Sequence, residues 1–215
     1  RDAQESRGLG DVYKRQITTF GEQNMSRADK DISSSLPVDQ EKLVEQLRDP
    51  KTAAAAFNVM MKLYGERIYW HIRKMVAAHD DAMDLLQNVF IKAWKSLDKF
   101  RGAAKLSTWL YKIAVNESLN FIKKEKAAQG ITDADSDEAL FANLEADPWF
   151  DGDELQAELQ RAIAALPEKQ RLVFRMRYYD EMKYEEISEI LGTSVGALKA
   201  SYHHAVSKIA KHFDL

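Results

Sequence analysis

The chain contains no cysteine. That excludes a disulfide framework, a thiolate metal site and a cysteine nucleophile, and it agrees with a reducing compartment. Helix breakers are also scarce, with 4 Pro and 9 Gly in 215 residues. Their scarcity beside abundant Ala, Leu, Lys and Glu favours helices. No run of about 18 apolar residues occurs, so neither a transmembrane helix nor membrane insertion is expected. The first twenty residues lack the apolar core of a secretory signal. An excess of positive charge is missing too: 31 Lys and Arg against 34 Asp and Glu leave a net charge of -3. Taken alone, that argues weakly against a nucleic-acid partner, because phosphate contact needs cations. What is present is ordinary for a globular protein of one or two domains, with 45% hydrophobic and 30% charged residues.

The average charge conceals a division. Lys99, Arg101, Lys105, Lys112, Lys123, Lys124 and Lys126 form a basic stretch. Asp133, Asp135, Asp137, Glu138, Glu145, Asp147, Asp151 and Asp153 form an acidic one, interrupted by Gly130, Pro148 and Gly152. By composition, residues 127–153 are a linker. It is expected to be a flexible tether that leaves the parts on either side loosely oriented, although Leu140, Phe141, Leu144, Trp149 and Phe150 would let some of it dock. Residues 1–39 are expected to be a disordered tail. Met25 resembles a natural start, so residues 1–24 are expected to be upstream sequence without a role.

On either side of the linker the pattern is helical. Leu43, Val44 and Leu47 open it, and Phe57, Met60, Met61, Tyr64, Ile68 and Ile72 follow as one face of a long helix. Asp80 or Asp81 is the expected cap of a third helix carrying Leu86, Val89, Phe90, Ala93, Trp94 and Leu97. A loop from Lys99 to Lys105 with Gly102 as breaker precedes a fourth helix, capped by Ser107 and carrying Trp109, Leu110, Ile113, Leu119 and Ile122. After the linker, Leu155, Leu159, Ile163 and Leu166 mark one helix. Pro167 suits the first turn of the next, which carries Leu172, Val173, Met176 and Tyr179. The expected fold is all-α: two small helical domains, 40–126 and 154–215, joined by the acidic linker 127–153.

The strongest local signal is a helix-turn-helix. Tyr184–Leu191 has Ile187, Ile190 and Leu191 on one face, and Gly192 supplies the positive φ of a tight turn. Thr193 or Ser194 is the expected cap of the second helix, on which Val195, Leu198, Tyr202, Val206 and Ile209 point inward. Its other face carries Gly196, Lys199, Ala200 and His203, flanked by Ser201, His204 and Lys208. Small residues for close approach, polar groups for base edges and cations for phosphates are what a groove-reading helix needs. The plain alternative is a helical hairpin with a solvated polar face.

Taken together, the two halves resemble a bacterial RNA polymerase sigma factor of the extracytoplasmic-function (ECF) group. The matching words are Asp84-Leu-Leu-Gln-Asn-Val-Phe-Ile-Lys-Ala-Trp94, Lys99-Phe-Arg-Gly102 and Ser107-Thr-Trp-Leu-Tyr-Lys-Ile-Ala-Val-Asn116, then Leu166-Pro167, Gln170-Arg171, Tyr184-Glu-Glu-Ile187 and Gly192-Thr-Ser-Val-Gly196. The resemblance implies a protein that binds core RNA polymerase, brings it to promoter DNA and assists melting, without covalent chemistry, metal or cofactor. It implies a first domain that reads the -10 element and a second that reads the -35 element. It also implies a cytoplasmic location and, often, an anti-sigma factor as partner.

The resemblance assigns core polymerase binding to the outer face of the third helix: Asp84, Gln87, Asn88, Ile91 and Lys95. The family usually has Glu where Asn88 stands, so one charge is absent. The -10 DNA falls to Arg101, Lys105, Ser107, Thr108, Trp109, Lys112 and Asn116, where lysines track phosphates, small polar groups hold a splayed base and Trp109 and Tyr111 offer stacking surfaces. Core packing is the alternative role for Trp109. The -35 DNA falls to Ser194, Lys199, Ala200, His203, His204 and Lys208. Many members carry Arg-rich text there, and this chain does not, so no target sequence transfers. A helix-turn-helix regulator that is not a polymerase subunit is the rival reading, though it leaves Asp84–Asn116 without a role. A metal phosphohydrolase is a remoter one, resting on His79-Asp80 alone.

Overall fold

A computed structural model describes residues 40–76, 78–100, 105–129 and 154–213. The expected tail, Arg101 and Gly102 of the basic loop, and residues 130–153 of the acidic stretch lie outside the described residues. Among the described residues all regular structure is helical: α1 (Gln40–Arg48), α2 (Ala53–Met75), α3 (His79–Lys95), a 3-10 turn (Leu97–Lys99), α4 (Leu106–Gln129), α5 (Glu154–Ala164), α6 (Glu168–Tyr178), α7 (Tyr184–Leu191) and α8 (Val195–His212).

Several helix starts differ from expectation by one to three residues. α3 begins at His79 with Ala78 at the cap, so Asp80 and Asp81 sit in its first turn. There their charges face the positive end of the helix dipole. α4 begins at Leu106, one residue ahead of the expected cap Ser107, and the Lys105 carbonyl accepts from Trp109 N–H at 3.1 Å. Pro167 is the cap of α6 and not its first helical residue; its carbonyl accepts from Arg171 N–H at 2.9 Å. At its far end α4 runs through Gln129, past Lys126. Ala127 and Ala128 are strong helix formers and carry it into what composition assigned to the linker.

The helix-turn-helix forms over the predicted residues. Gly192 takes φ 63° at the end of α7, donating to Ser188 O, and Ser194 caps α8 by accepting from Ala197 N–H at 3.4 Å. One inward position on α8 was misassigned. Val206 is 40% exposed, and Ala205 is fully buried in its place. At about 3.6 residues per turn, seven residues bring Ala205 back under Leu198, whereas Val206 falls well round the helix.

The first half is built on α2. Its Phe57 meets the edges of Phe90 at 6.2 Å and Trp94 at 4.9 Å, joining α2 to α3, and α4 packs against both helices. In the second half α8 lies against α5, α6 and α7. A small cluster of Ile163, Leu166, Phe174 and Ala205 belongs to this half alone.

The halves are not loosely oriented. Val173, Met176, Ile187 and Leu198 belong to the same buried cluster as Ile68, Ile72, Leu86 and Leu110, and α4 lies against α7. The turn between α6 and α7 adds a polar anchor. His71 Nδ1 on α2 lies 2.5 Å from Asp180 Oδ2, and Lys74 Nζ lies 3.4 Å from Asp180 Oδ1. His71 is 1% exposed and the Asp180 side chain 4%. Glu181, beside it, has φ 52°, a left-handed conformation that costs a non-glycine residue about 1–2 kcal/mol. The turn is pinned by Met182 N–H on Met176 O at 3.1 Å and by Arg177 Nη1 on Met182 O at 2.9 Å.

Burial by itself would raise the Asp180 carboxyl, but the charges and hydrogen bonds of His71 and Lys74 outweigh it and hold the group below its ordinary value of 3.8. A depressed carboxylate stabilises the folded arrangement above its ordinary pKa, and that contribution is lost as pH falls through the depressed one. Calorimetry of the wild-type chain is therefore expected to show one transition, because the halves share a core. Asp180→Ala strands His71 and Lys74, should cost about 3–5 kcal/mol, and should split the transition in two with helix content retained. The wild-type docking should weaken as pH falls below 3.8, and Asp180→Asn should remove that dependence. A single unsplit transition in the Asp180→Ala chain would contradict this.

Candidate nucleic-acid and protein interfaces

The outward face of α8 is open along its length. Ser194, Lys199, Ala200, His203, His204 and Lys208 are all exposed, while Leu198 and Ala205 anchor the opposite side. Gly196 is exposed as well, and a Cβ placed there would meet nothing within 4 Å. Lys199 Nζ stands 5.8 Å from the centroid of the Tyr184 ring on α7, and the Arg177 guanidinium lies 5.3 Å from the same ring. One aromatic ring thus gathers two cations, at distances where cation–π attraction acts. The His203 and His204 rings are 6.1 Å apart and tilted, as adjacent residues on a helix must be. The length of α8, its cap and its free polar face suit insertion into a major groove.

The start of α4 is arranged differently. Lys112 and Asn116 are exposed and Ser107 is half-buried. Trp109 is half-buried too, its ring 4.8 Å from that of Phe100 and tilted by 35°. Packing therefore accounts for part of that ring only. Thr108, by contrast, is 5% exposed, and Tyr111 is buried with its ring 5.1 Å from His71 in an edge-on arrangement. Both are covered by packing in this arrangement. Burial drives the Tyr111 hydroxyl well above its ordinary pKa, and the nearby Asp180 charge adds to the rise. Lys105 is exposed but occupied, with its Nζ 2.7 Å from Glu186 Oε1 on α7. The hydrogen bond and charge of Glu186 raise the Lys105 pKa. Arg101 lies outside the described residues.

On α3, Asp84, Asn88, Ile91 and Lys95 are exposed and Gln87 is half-buried, while Leu86, Val89, Phe90 and Ala93 face the core. Ile91 is 37% exposed among polar neighbours, a composition that fits a protein contact. The foot of the helix is acidic. The Asp81 carboxyl is raised by partial burial and by the charges of Glu125, Asp84 and Asp80, so four carboxylates share one locality.

Among the described residues no group of three His, Asp or Glu is placed to hold a metal ion. His79, half of the doublet that resembled a phosphohydrolase, has its Nδ1 2.7 Å from the Tyr69 hydroxyl. No described helix is long and apolar enough to cross a membrane.

Sequence reasoning missed His71, Asp180, Glu186 and Tyr184 as interacting residues. His71 and Asp180 are 109 positions apart, so no spacing rule connects them. The left-handed backbone of Glu181, directly after Asp180, marks the turn in the structure and has no counterpart in the sequence pattern.

Residues 60–128 match the family described as sigma-70 region 2, and residues 156–209 match sigma-70 region 4. The first match covers most of α2, all of α3 and nearly all of α4; the second covers the helix-turn-helix. A helix-turn-helix regulator outside the polymerase would account for the second alone. The ECF RNA polymerase sigma factor SigW of Bacillus subtilis is 31% identical over 171 residues, which span 73% of this chain and 88% of that protein. The ECF RNA polymerase sigma-E factor of Escherichia coli is 31% identical over 173 residues, 76% of this chain and 88% of its own. Two solved structures share the fold. One is the sigma factor RpoE in complex with the anti-sigma factor NepR from Bartonella quintana, at TM-score 0.58 and 20% identity over 74% of this chain and 97% of that one. The other is CnrH in complex with the cytosolic domain of CnrY, at TM-score 0.60 and 19% identity over 81% and 97%. With both regions matched in order and relatives aligned over most of their length, the chain belongs to the ECF RNA polymerase sigma factors, proteins that bind the polymerase and direct it to promoters.

Proposed function

We propose that this sigma factor divides its work among three faces. The outer face of α3, with Asp84, Gln87, Asn88, Ile91 and Lys95, docks on core RNA polymerase. The start of α4, with Arg101 and Lys105 ahead of Ser107, Trp109, Lys112 and Asn116, receives the melted strand of the -10 element. The outer face of α8 enters the -35 duplex through Ser194, Lys199, Ala200, His203, His204 and Lys208. Residues 40–126 and 154–215 act as the two promoter-reading domains, joined by residues 127–153. The protein works in the cytoplasm by binding and not by covalent catalysis, and an anti-sigma protein is an expected partner, as for the fold neighbour from Bartonella quintana.

The observation that carries this reading is the contrast along α8. Its inward side is packed and its outward side is open, with small, polar and cationic residues. For α3 the support is an exposed Ile91 in a mixed polar face above a cluster of carboxylates, which suits a basic partner surface.

Four measurements test the division. Asp84→Arg, or Gln87→Ala combined with Ile91→Asp, should weaken association of the folded chain with core polymerase; unchanged binding would remove the α3 assignment. Lys199→Ala should weaken the closed promoter complex and lower its log–log salt slope by about 0.9 for one lost phosphate contact. His203→Ala should cost about 1–3 kcal/mol at a single base position if it touches a base edge. Asn116→Ala should leave duplex binding intact and impair opening, and a premelted template should restore it, because premelting supplies the unstacking energy. The same template should not restore Lys199→Ala. Equal rescue of both would overturn the division.

A further inference from the structure

α8 is a basic helix whose charge is in large part conditional. It carries Lys199, His203, His204, Lys208, Lys211 and His212, with no carboxylate and no arginine along its length. Three of the chain's 5 histidines therefore lie on this one helix. His71, His79 and His212 are engaged within the fold, with Asp180, Tyr69 and Glu158 in turn. His203 and His204 are exposed instead, and their rings adjoin each other at 6.1 Å. The elements packed on α8 direct their charges elsewhere. On α5, Glu158 takes Arg161 as well as His212; on α6, Arg177 lies over the Tyr184 ring. On α7, Tyr184 receives Lys199, Glu186 receives Lys105 with the charge of Glu189 nearby, and Glu185 is exposed in the first turn. Among the described residues no carboxylate bonds either ring of the adjacent pair.

We infer that His203 and His204 meet the -35 duplex as imidazolium ions, so that this sigma factor takes up protons as it binds its promoter and holds it more tightly at lower pH. The inference rests on the assignment of the outer face of α8 to the -35 duplex. Imidazole is the side chain whose charge ordinarily changes between about pH 5 and 8, and its protonated form has two N–H donors where the neutral ring has one. Duplex DNA offers acceptors: phosphate oxygens along the backbone, and O6 and N7 of guanine in the major groove. Both favour the protonated ring, through its charge and its second donor. At about 3.6 residues per turn, His203 falls between Lys199 and Ala200 in the middle of the outer face, and His204 turns toward Lys208 at its edge. His203 is thereby placed for a base edge and His204 for a phosphate. The face carries two fixed charges, on Lys199 and Lys208, and two that the DNA itself induces. Because the complex holds more protons than its separate components, linkage requires tighter binding as pH falls.

The test compares holoenzymes on a duplex promoter fragment that the wild-type holoenzyme selects from a randomised pool. The reference is His203→Gln combined with His204→Gln, whose side chains donate but never carry charge. The polymerase's own pH dependence is common to both and cancels. Between about pH 8 and 6 the wild-type closed complex should gain about tenfold over the reference, as charged hydrogen bonds replace neutral ones. Its log–log salt slope should steepen by about 0.9 over the same range, for the phosphate contact of His204. Titration calorimetry in buffers of different ionisation heat should show proton uptake by wild type that the reference lacks. His203→Arg combined with His204→Arg should show the steep slope at both ends of the range. His212→Gln, which releases Glu158 of α5 instead, should leave the gain in place. All these positions are exposed, and circular dichroism checks that each variant keeps its helix content. An equal pH gain in wild type and the double Gln variant would overturn the inference, as would loss of the gain in His212→Gln. Unchanged affinity and salt slope in Lys199→Ala would instead remove the assignment of this face to the -35 duplex.

Discussion

A carboxylate taken out of water must find its counter-charge within the protein, and Asp180 finds it on the opposite half of the molecule. Its oxygens meet His71 and Lys74 of α2, while the chain that carries it turns through the left-handed Glu181. Removing either partner would leave a buried charge unmatched, which costs far more than a surface ion pair contributes. The relation between the halves follows from this. With the α6–α7 turn seated on α2, α7 is brought against α4, and Ile187 and Leu198 join a core that Ile72 and Leu110 already occupy. The apolar contact removes surface from water. The buried anion selects the register in which that area can be removed, because a slipped arrangement would bury it unpaired.

The same seating decides which charges are available. A net charge of -3 is a poor guide to a protein whose cations and anions are sorted by face. On α8 the cations point to solvent, where they can exchange counterions for phosphates. On α4 the first lysine is paired with a glutamate from the other half, while Lys112, two turns on, remains exposed. On α3 the acid collects at the foot of the helix, beside Glu125 of α4. Three surfaces with three electrostatic characters therefore arise from one helical chain, and their differences come from packing as much as from composition.

Much of the fold was legible because helical periodicity is local. Phe57, Met60, Tyr64, Ile68 and Ile72 are buried as their spacing requires, and the helix-turn-helix forms over the residues that carry its pattern. Gly192 and Ser194 do what a positive φ and a short hydroxyl side chain allow. Where local rules compete, the prediction slipped. Asp80, Asp81 and Ser107 are all good caps, yet each helix starts earlier, at His79 and Leu106. Val206 and Ala205 are both apolar, and only the surface facing them decides which turns inward. On the candidate faces the α8 residues and four of the five α3 residues are exposed as the pattern predicted, whereas Gln87 is half-buried and Thr108 and Tyr111 are buried by packing that no helical wheel contains.

By itself the sequence determined the helices, the two-part organisation, the recognition helix and its polar face, and the family to which the chain belongs. Each of these depends on residues within a few turns of one another, where backbone geometry sets the neighbours. Tertiary structure alone decided that the halves share a core, that His71 meets Asp180, and that Glu186 takes Lys105. Those pairs are separated by 109 and 81 positions. Contacts at such distances are chosen by which surfaces can leave water together without stranding a charge, and that is a property of the assembled molecule.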